Sequence, residues 1–393
     1  VLAAGCGQAN SDNVNVQQIV QEDTSNAENA EDSKEQAAAQ DDAAADAQAS
    51  DTTQVDASDS QGAPRVSAGE IVTLGEDGAR LQAGMVTDAI GINDHSFYQS
   101  AWEGFTMLNE SIGARVSYAM TGEEFKAEDA FEKLAVHNDQ IIWGVGYEFA
   151  DALLDAAAKH PELHYAIVDH VYDQIPQNVT CARFRSEEPS FLAGYIAASV
   201  SETGKVGYIG GMDVDAIAPF QYGYLAGVAK ADSVTGKKTE VEVAFLESFE
   251  DPAGGKSKAL SMYENGCDVI FHAAGGSGDG VIDAAKESGK YVIGVDCDQS
   301  YLAPENVLTS VIKKVNVVVS NISVQYSIQD NIGGKSLEYG IAEYAMGLPT
   351  DHPNYSDALY EEVMSLQDEI ISHLIEVPDS EAELADYLEE LKE

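Results

Sequence analysis

The stretch DVIFHAAGGSGDGVIDAAKESGKYVIGVD, residues 268–296, decides the fold class. Asp268–His272 is a short apolar run that stops at Gly275-Gly276. Gly280–Ser288 has helical spacing, and Tyr291–Asp296 is a second apolar run that ends on a carboxylate. A half-exposed strand alternates polar and apolar residues. These runs are continuous, so both faces of each strand are covered, as in a parallel sheet flanked by helices.

The same unit recurs outward in both directions. Upstream, the pattern predicts strands at Arg80–Asp88, Arg115–Met120, Gln140–Val145, His164–Asp169, Asn178–Phe184, Lys205–Ile209 and Glu240–Glu247. Helices are predicted between them at Ser96–Ile112, Glu123–Val136, Glu148–Lys159, Pro189–Val200, Ala216–Lys230 and Pro252–Asn265, the fifth with Gly223 and Gly227 on one side. Downstream come a strand at Val307–Lys313, a helix at Val315–Asp330, a late strand at Leu337–Tyr344, and helices over 356–375 and 380–392. So many βα units exceed one compact open sheet, and two doubly wound parallel-sheet lobes are the economical solution. Functional atoms in such sheets gather beyond the strand carboxyl ends. Asp88, Gly144, Asp169, Gly210, Gly275 and Asp296 fall there, which points to a cleft between the lobes.

Composition narrows the function. The 393 residues carry 68 acidic and 21 basic side chains, a net charge of −47. Residues 1–64 hold 13 Asp or Glu and a single Lys, and no aromatic precedes Phe97. Such acidity excludes docking on a phosphate backbone, which needs a basic stripe, so no nucleic acid partner is expected. It also favours an uncharged solute over an anionic one. No run reaches the roughly 20 apolar residues that span a bilayer. Apart from Cys6, the cysteines are Cys181, Cys267 and Cys297, too few and too scattered for a disulfide framework or a metal site, and they are expected to be small buried side chains. No Gly-x-x-x-x-Gly-Lys-Ser/Thr loop, nucleophile elbow or His-Glu-x-x-His occurs. Gly275–Gly280 is glycine-rich but lacks the Lys and fits dinucleotide spacing poorly. His272, on an apolar strand, is expected to be a core or rim residue. Asp296-x-Asp298 alone is thin for a cation site. The chain reads as a binder, with no cofactor and no metal.

The amino terminus, Val1-Leu2-Ala3-Ala4-Gly5-Cys6, resembles the end of a bacterial lipoprotein signal peptide, with Cys6 as the lipid-bearing residue. Residues 7–78 are expected to be a disordered acidic tether, because Ala, Gln, Ser, Asp and Asn cannot bury enough apolar surface to offset chain entropy.

A longer resemblance rests on motifs in order. The first is Met85-Val86-Thr87-Asp88 followed by Gly91-Ile92-Asn93-Asp94-His95-Ser96-Phe97-Tyr98-Gln99-Ser100-Ala101-Trp102-Glu103-Gly104. Then come Gly144-Val145-Gly146, Glu188-Pro189-Ser190-Phe191-Leu192-Ala193-Gly194 and Val206-Gly207-Tyr208-Ile209-Gly210-Gly211-Met212. Ser248-Phe249-Glu250-Asp251-Pro252, Phe271–Gly276, Ile293–Gln299 and Leu308–Lys314 complete the series. Over roughly 80–330 the chain resembles the basic membrane protein family, substrate-binding lipoproteins of ABC transporters similar to purine nucleoside receptors.

The resemblance implies a type I periplasmic-binding-protein fold, with two doubly wound lobes joined by crossover strands. The expected partition puts 79–184 plus about 300–330 in the amino-terminal lobe, and 185–299 plus about 331–393 in the carboxy-terminal lobe. It implies a nucleoside stacked between Phe97 and Phe220, with Asp88 or Asp169 accepting from the base. Asp296 and Lys313 would take the ribose hydroxyls, and Gly275 would allow backbone approach. Asn93, Asp94, Tyr98 and Gly146 complete the expected contacts. Family members commonly carry Asn where Tyr98 stands and Lys where His95 stands. The implied partners are a nucleoside ligand, ABC permease subunits and a membrane reached through the lipid anchor. A sugar ligand, a sensory receptor and a nucleoside-processing enzyme are the competing readings.

Overall fold

In a computed structural model that describes residues 52–54, 67–329 and 331–392, the two apolar runs of 268–296 are adjacent parallel strands. Val269 stands opposite Tyr291 and Phe271 opposite Ile293. Their neighbours build two sheets.

The first sheet contains β1 (Thr52–Gln54), β2 (Ile71–Leu74), β3 (Gln82–Thr87), β4 (Arg115–Met120), β5 (Ile141–Val145), β6 (His164–Val168) and β7 (Val179–Phe184). The second contains β8 (Lys205–Gly210), β9 (Glu240–Phe245), β10 (Val269–Ala273), β11 (Tyr291–Asp296) and β12 (Val307–Lys313). Two late strands divide: β13 (Lys335–Tyr339) joins the first sheet and β14 (Met346–Gly347) the second. The orders are β1-β2-β4-β3-β5-β6-β7-β13 and β14-β12-β11-β10-β8-β9. All neighbours are parallel except β2 against β4 and β14 against β12. In the first sheet the chain steps from β3 out to β4 and returns past β3 to β5; in the second it steps from β8 out to β9 and returns past β8 to β10. This reversal, between β3 and β5 and again between β8 and β10, is the topological switch point where α/β sheets bind ligands.

The helices are α1 (Phe97–Ile112), α2 (Ala127–Val136), α3 (Ala150–Lys159), α4 (Glu187–Val200), α5 (Ala218–Thr235), α6 (Pro252–Glu264), α7 (Gly278–Ser288), α8 (Val315–Ser327), α9 (Asp357–Ile371) and α10 (Glu381–Glu390). Two of them follow from short-range signals. The Asp251 side chain accepts from the Gly254 amide ahead of Pro252, and Ser356 accepts from Leu359, both in N-cap geometry.

Two expectations are corrected. The late strands exchange lobes: Val307–Lys313 extends the second sheet beside β11, and Lys335–Tyr339 extends the first beside β7. The apolar run 307–311 suits a buried place beside its sequence neighbour, whereas the more polar β13 is an edge strand, mostly exposed or half-buried. Within 300–330, only α8 goes to the first lobe, where Trp143 Nε1 donates to Ser323 Oγ at 3.1 Å. The chain therefore crosses between sheets at Arg185-Ser186, at Lys314 and over residues 340–345. Helices α9 and α10 do pack on the second lobe: Tyr195 of α4 donates to Glu362 at 3.1 Å, and Phe191 meets Tyr387 edge-on.

The second correction concerns residues 7–78. Ile71–Leu74 is a paired strand, with Ile71 and Val72 buried, because four residues rich in β-branched and apolar side chains can complete a sheet margin. Residues 52–54 pair with it in turn. Residues 67–70 and 75–78 flank it, Gly69 donating to the Met120 carbonyl and Asp77 pairing with Arg115; residues 7–51 and 55–66, and Cys6, lie outside the described residues.

Gly223 and Gly227, noted in the sequence, have a packing reason. Helices α4 and α5 run so close that a Cβ at Gly227 would overlap the Phe191 carbonyl oxygen, and one at Gly223 the Glu187 carbonyl oxygen. Nothing lies near a Cβ placed at Gly347. Gly227→Ala is expected to cost about 1–3 kcal/mol, read as a lower urea midpoint, while Gly347→Ala stays within about 0.5 kcal/mol.

Candidate ligand-binding site

The two switch points face each other, and the loops beyond them enclose a cleft with about 690 Å³ free of atoms, its mouth included. That lies in the range of small-molecule sites. Ten of the eleven expected residues line it: Asp88, Asp94, Phe97, Tyr98, Gly146, Asp169, Phe220, Gly275, Asp296 and Lys313. Asn93 does not. It is exposed at the end of the short turn Gly91–Asn93. The other lining residues are Ile90, Tyr147, Glu148, Ala216, Ile217, Phe249, Ala273, Gly276 and Val295.

One end is organised by Lys313, the last residue of β12. Only 3% of its surface is exposed. Its ammonium pairs with Asp169, which follows β6 in the opposite lobe. The Nζ atom also lies 4.8, 5.0 and 5.6 Å from the ring centroids of Phe97, Phe184 and Phe220. Ring faces attract a cation, and more strongly when water is excluded. Asp296 ends β11 close by and accepts from the Ser96 hydroxyl across the cleft. Burial pushes its pKa up to about 6, against the lowering pull of Lys313. Asp169 and Asp296 both have positive φ, 61° and 65°. Left-handed non-glycine residues are strained, and they cluster at functional sites.

The other end is acidic. Asp88 accepts from the Ile90 and Gly91 amides at 2.9 and 3.3 Å. Burial and the Glu250 carboxyl of the facing lobe push its pKa up to about 8. Tyr98 donates to Glu148 at 2.5 Å. The Asp94 carboxylate is already engaged, accepting from the Ser96, Tyr98 and Gln99 amides at 3.1, 2.8 and 2.9 Å. It anchors the start of α1 and so fixes Phe97 and Tyr98. His272 is fully buried in β10, and burial holds its pKa down at about 4, so it stays neutral.

Several bonds close the cleft from lobe to lobe. The His95 ring meets Asp279 of α7 at 3.0 Å. The His95 carbonyl accepts from Cys297 Sγ and Gln299 Nε2 at 3.2 and 3.3 Å. His95 itself has φ 52°.

Sequence reasoning missed Glu148 and Phe249 as cleft residues. Phe249 sits inside the quoted Ser248–Pro252 motif. Glu148 stands two residues beyond the expected Gly146, where the spacing predicts the start of a helix.

A two-lobed α/β molecule that holds such a cleft between facing switch points belongs to the class of substrate-binding proteins. The family model Bmp, for PnrA-like ABC transporter substrate-binding proteins, matches residues 81–381, and the chain belongs to this family. Basic membrane protein D of Borreliella burgdorferi is 38% identical over 296 residues, covering 73% of this chain and 84% of that protein. Basic membrane protein A of the same organism is 37% identical over 304 residues, covering 76% and 88%. Two solved structures share the fold, which is the type I periplasmic-binding kind. A solute-binding protein of an ABC transporter system from Aeropyrum pernix K1 superposes with a TM-score of 0.69 at 24% identity, covering 79% of this chain and 97% of that one. One from Conexibacter woesei gives 0.62 at 18%, covering 76% and 99%.

The raised pKa of Asp296 has a sign that can be checked. The folded protein holds this proton more tightly than the unfolded chain, so stability falls as pH rises from about 4 to about 6. Asp296→Asn is expected to flatten that part of the stability–pH curve, measured by urea unfolding at intervals between pH 4 and 7.

Proposed function

We propose that this substrate-binding protein captures a purine nucleoside between its lobes and delivers it to an ABC permease, held at the outer face of the cell membrane by lipid on Cys6. The observation that carries the reading is the placement of Phe97 and Phe220, one from each lobe, both lining the cleft and both within 6 Å of the Lys313 ammonium. Two such rings offer a slot for a flat base. The polar groups sort to either side of it. Lys313, Asp169 and Asp296 can serve vicinal hydroxyls, and Asp88 can serve a ring N–H. The net charge of −47 disfavours phosphorylated ligands.

Capture needs no covalent chemistry. The lobes part at the three crossings, ligand enters, and closure forms the bonds that His95, Ser96 and Lys313 make across the cleft. The permease then recognises the closed shape. The relatives are named as basic membrane proteins and substrate-binding proteins, which fits binding rather than turnover. Among the described residues no helix is long and apolar enough to cross a membrane; the anchor in this reading is acyl chains on Cys6. Two or three chains hold where one binds marginally.

Calorimetric titration with guanosine, inosine, adenosine, cytidine and ribose tests the ligand. At least one purine nucleoside is expected to bind, and Phe97→Ala to weaken it by about 5- to 150-fold, the range of one base–aromatic stack. Binding of ribose alone, or of none of the five, defeats the proposal. For the anchor, Cys6→Ser is expected to move the protein expressed with its leader from the detergent phase to the aqueous phase.

A further inference from the structure

Glu148 is a cleft carboxylate to which the motifs assign no role. It lies in the short helical turn Tyr147–Phe149, just beyond β5 on the switch-point wall of the first lobe. Two features fix it. Gly146 has φ 123°, and a Cβ there would stand 2.6 Å from Glu148 Oε1 and closer still to Oε2. The carboxyl therefore fills the space that a side chain at 146 would occupy. The Tyr98 hydroxyl then binds Oε1 at 2.5 Å. Tyr98 adjoins Phe97 on α1, with their rings 5.6 Å apart and edge-on. The carboxyl is thus tied through one residue to the ring expected to stack the base.

The surroundings say what this carboxyl would accept. A carboxylate has about four lone-pair sites, and Tyr98 uses one. The protein atoms crowding it raise its pKa most, though its surface is open to the cleft, and its charged neighbours there, Asp169 and Glu250, are acids that push the same way. The cleft's ammonium, Lys313, is paired with Asp169. This part of the cleft is rich in acceptors, so a ligand must bring donors to it. Glu148 is open to solvent in the empty cleft, so a ligand that covers it displaces its water; a donor on the ligand restores those bonds, and an analogue without the donor leaves them unmade.

We infer that Glu148 selects the base, its carboxyl accepting from an exocyclic amino group, so that the cleft takes aminopurine nucleosides in preference to inosine. This rests on the purine nucleoside reading above and specifies it. Guanosine differs from inosine only by a 2-amino group, and adenosine carries its amine at position 6, so the two report which edge faces Glu148.

The test is titration of wild type, Glu148→Leu and Tyr98→Phe with guanosine, adenosine and inosine. Wild type is expected to bind guanosine or adenosine at least tenfold more tightly than inosine. Glu148→Leu should bring that nucleoside to within threefold of inosine while inosine's own affinity changes less than threefold. The side chain is accessible from the cleft, and the retained inosine binding reports an intact fold. Tyr98→Phe keeps the carboxyl but frees it, so an intermediate preference is expected. A wild type that does not distinguish the three overturns the inference, as does a Glu148→Leu variant that weakens all three equally. A wild type that binds none of them overturns instead the nucleoside reading on which it rests.

Discussion

An ammonium that is 97% removed from water must find its counter-charge nearby; Lys313 has Asp296 beside it in its own lobe and pairs directly with Asp169 of the other. An unpaired buried charge is too costly to keep, so this one pair constrains the relative placement of β12 and β6. The rest of the cleft follows from that placement. Phe97, Phe184 and Phe220 gather round the ammonium, Asp296 comes within its field, and Ser96 is drawn to Asp296. The backbone passes from the second sheet to the first lobe immediately after Lys313, so the pair also sits at a crossing between the lobes.

Much of this was legible in the sequence because parallel strands buried on both faces leave unbroken apolar runs, and because their last residues are where ligand groups must stand. Arg115–Met120, Tyr291–Asp296 and Val307–Lys313 begin and end where the pattern put them. What periodicity does not encode is which sheet a strand joins. The apolar run at 307 and the polar strand at 335 differ in how buried they are, but neither names its sheet; the pairing partners, β11 and β7, do. The short strand Ile71–Leu74 was hidden because it follows a long polar stretch and needs β4 beside it to exist at all.

Single residues were lost for a different reason. Asn93 lies within a well-kept motif yet points to solvent, because the motif's work is done by Asp94, which spends its oxygens on the Ser96 amide and two amides of α1. Glu148 went unseen because an acidic residue near a helix start is ordinary. Its position becomes informative only once the φ of Gly146 and the reach of Tyr98 are known. In both cases side-chain direction, not residue type, makes the difference.

The crossing of β13 back into the first sheet has a consequence for synthesis. Neither lobe is a continuous piece of chain. When β7 has left the ribosome at residue 184, its outer edge waits for a partner that begins at residue 335. At about 5–20 residues per second, the first sheet carries an open edge for roughly 8–30 s. A parallel edge with unpaired backbone groups is a template for foreign strands. The dense negative charge of the nascent chain, which repels its own copies, is well suited to guarding that interval.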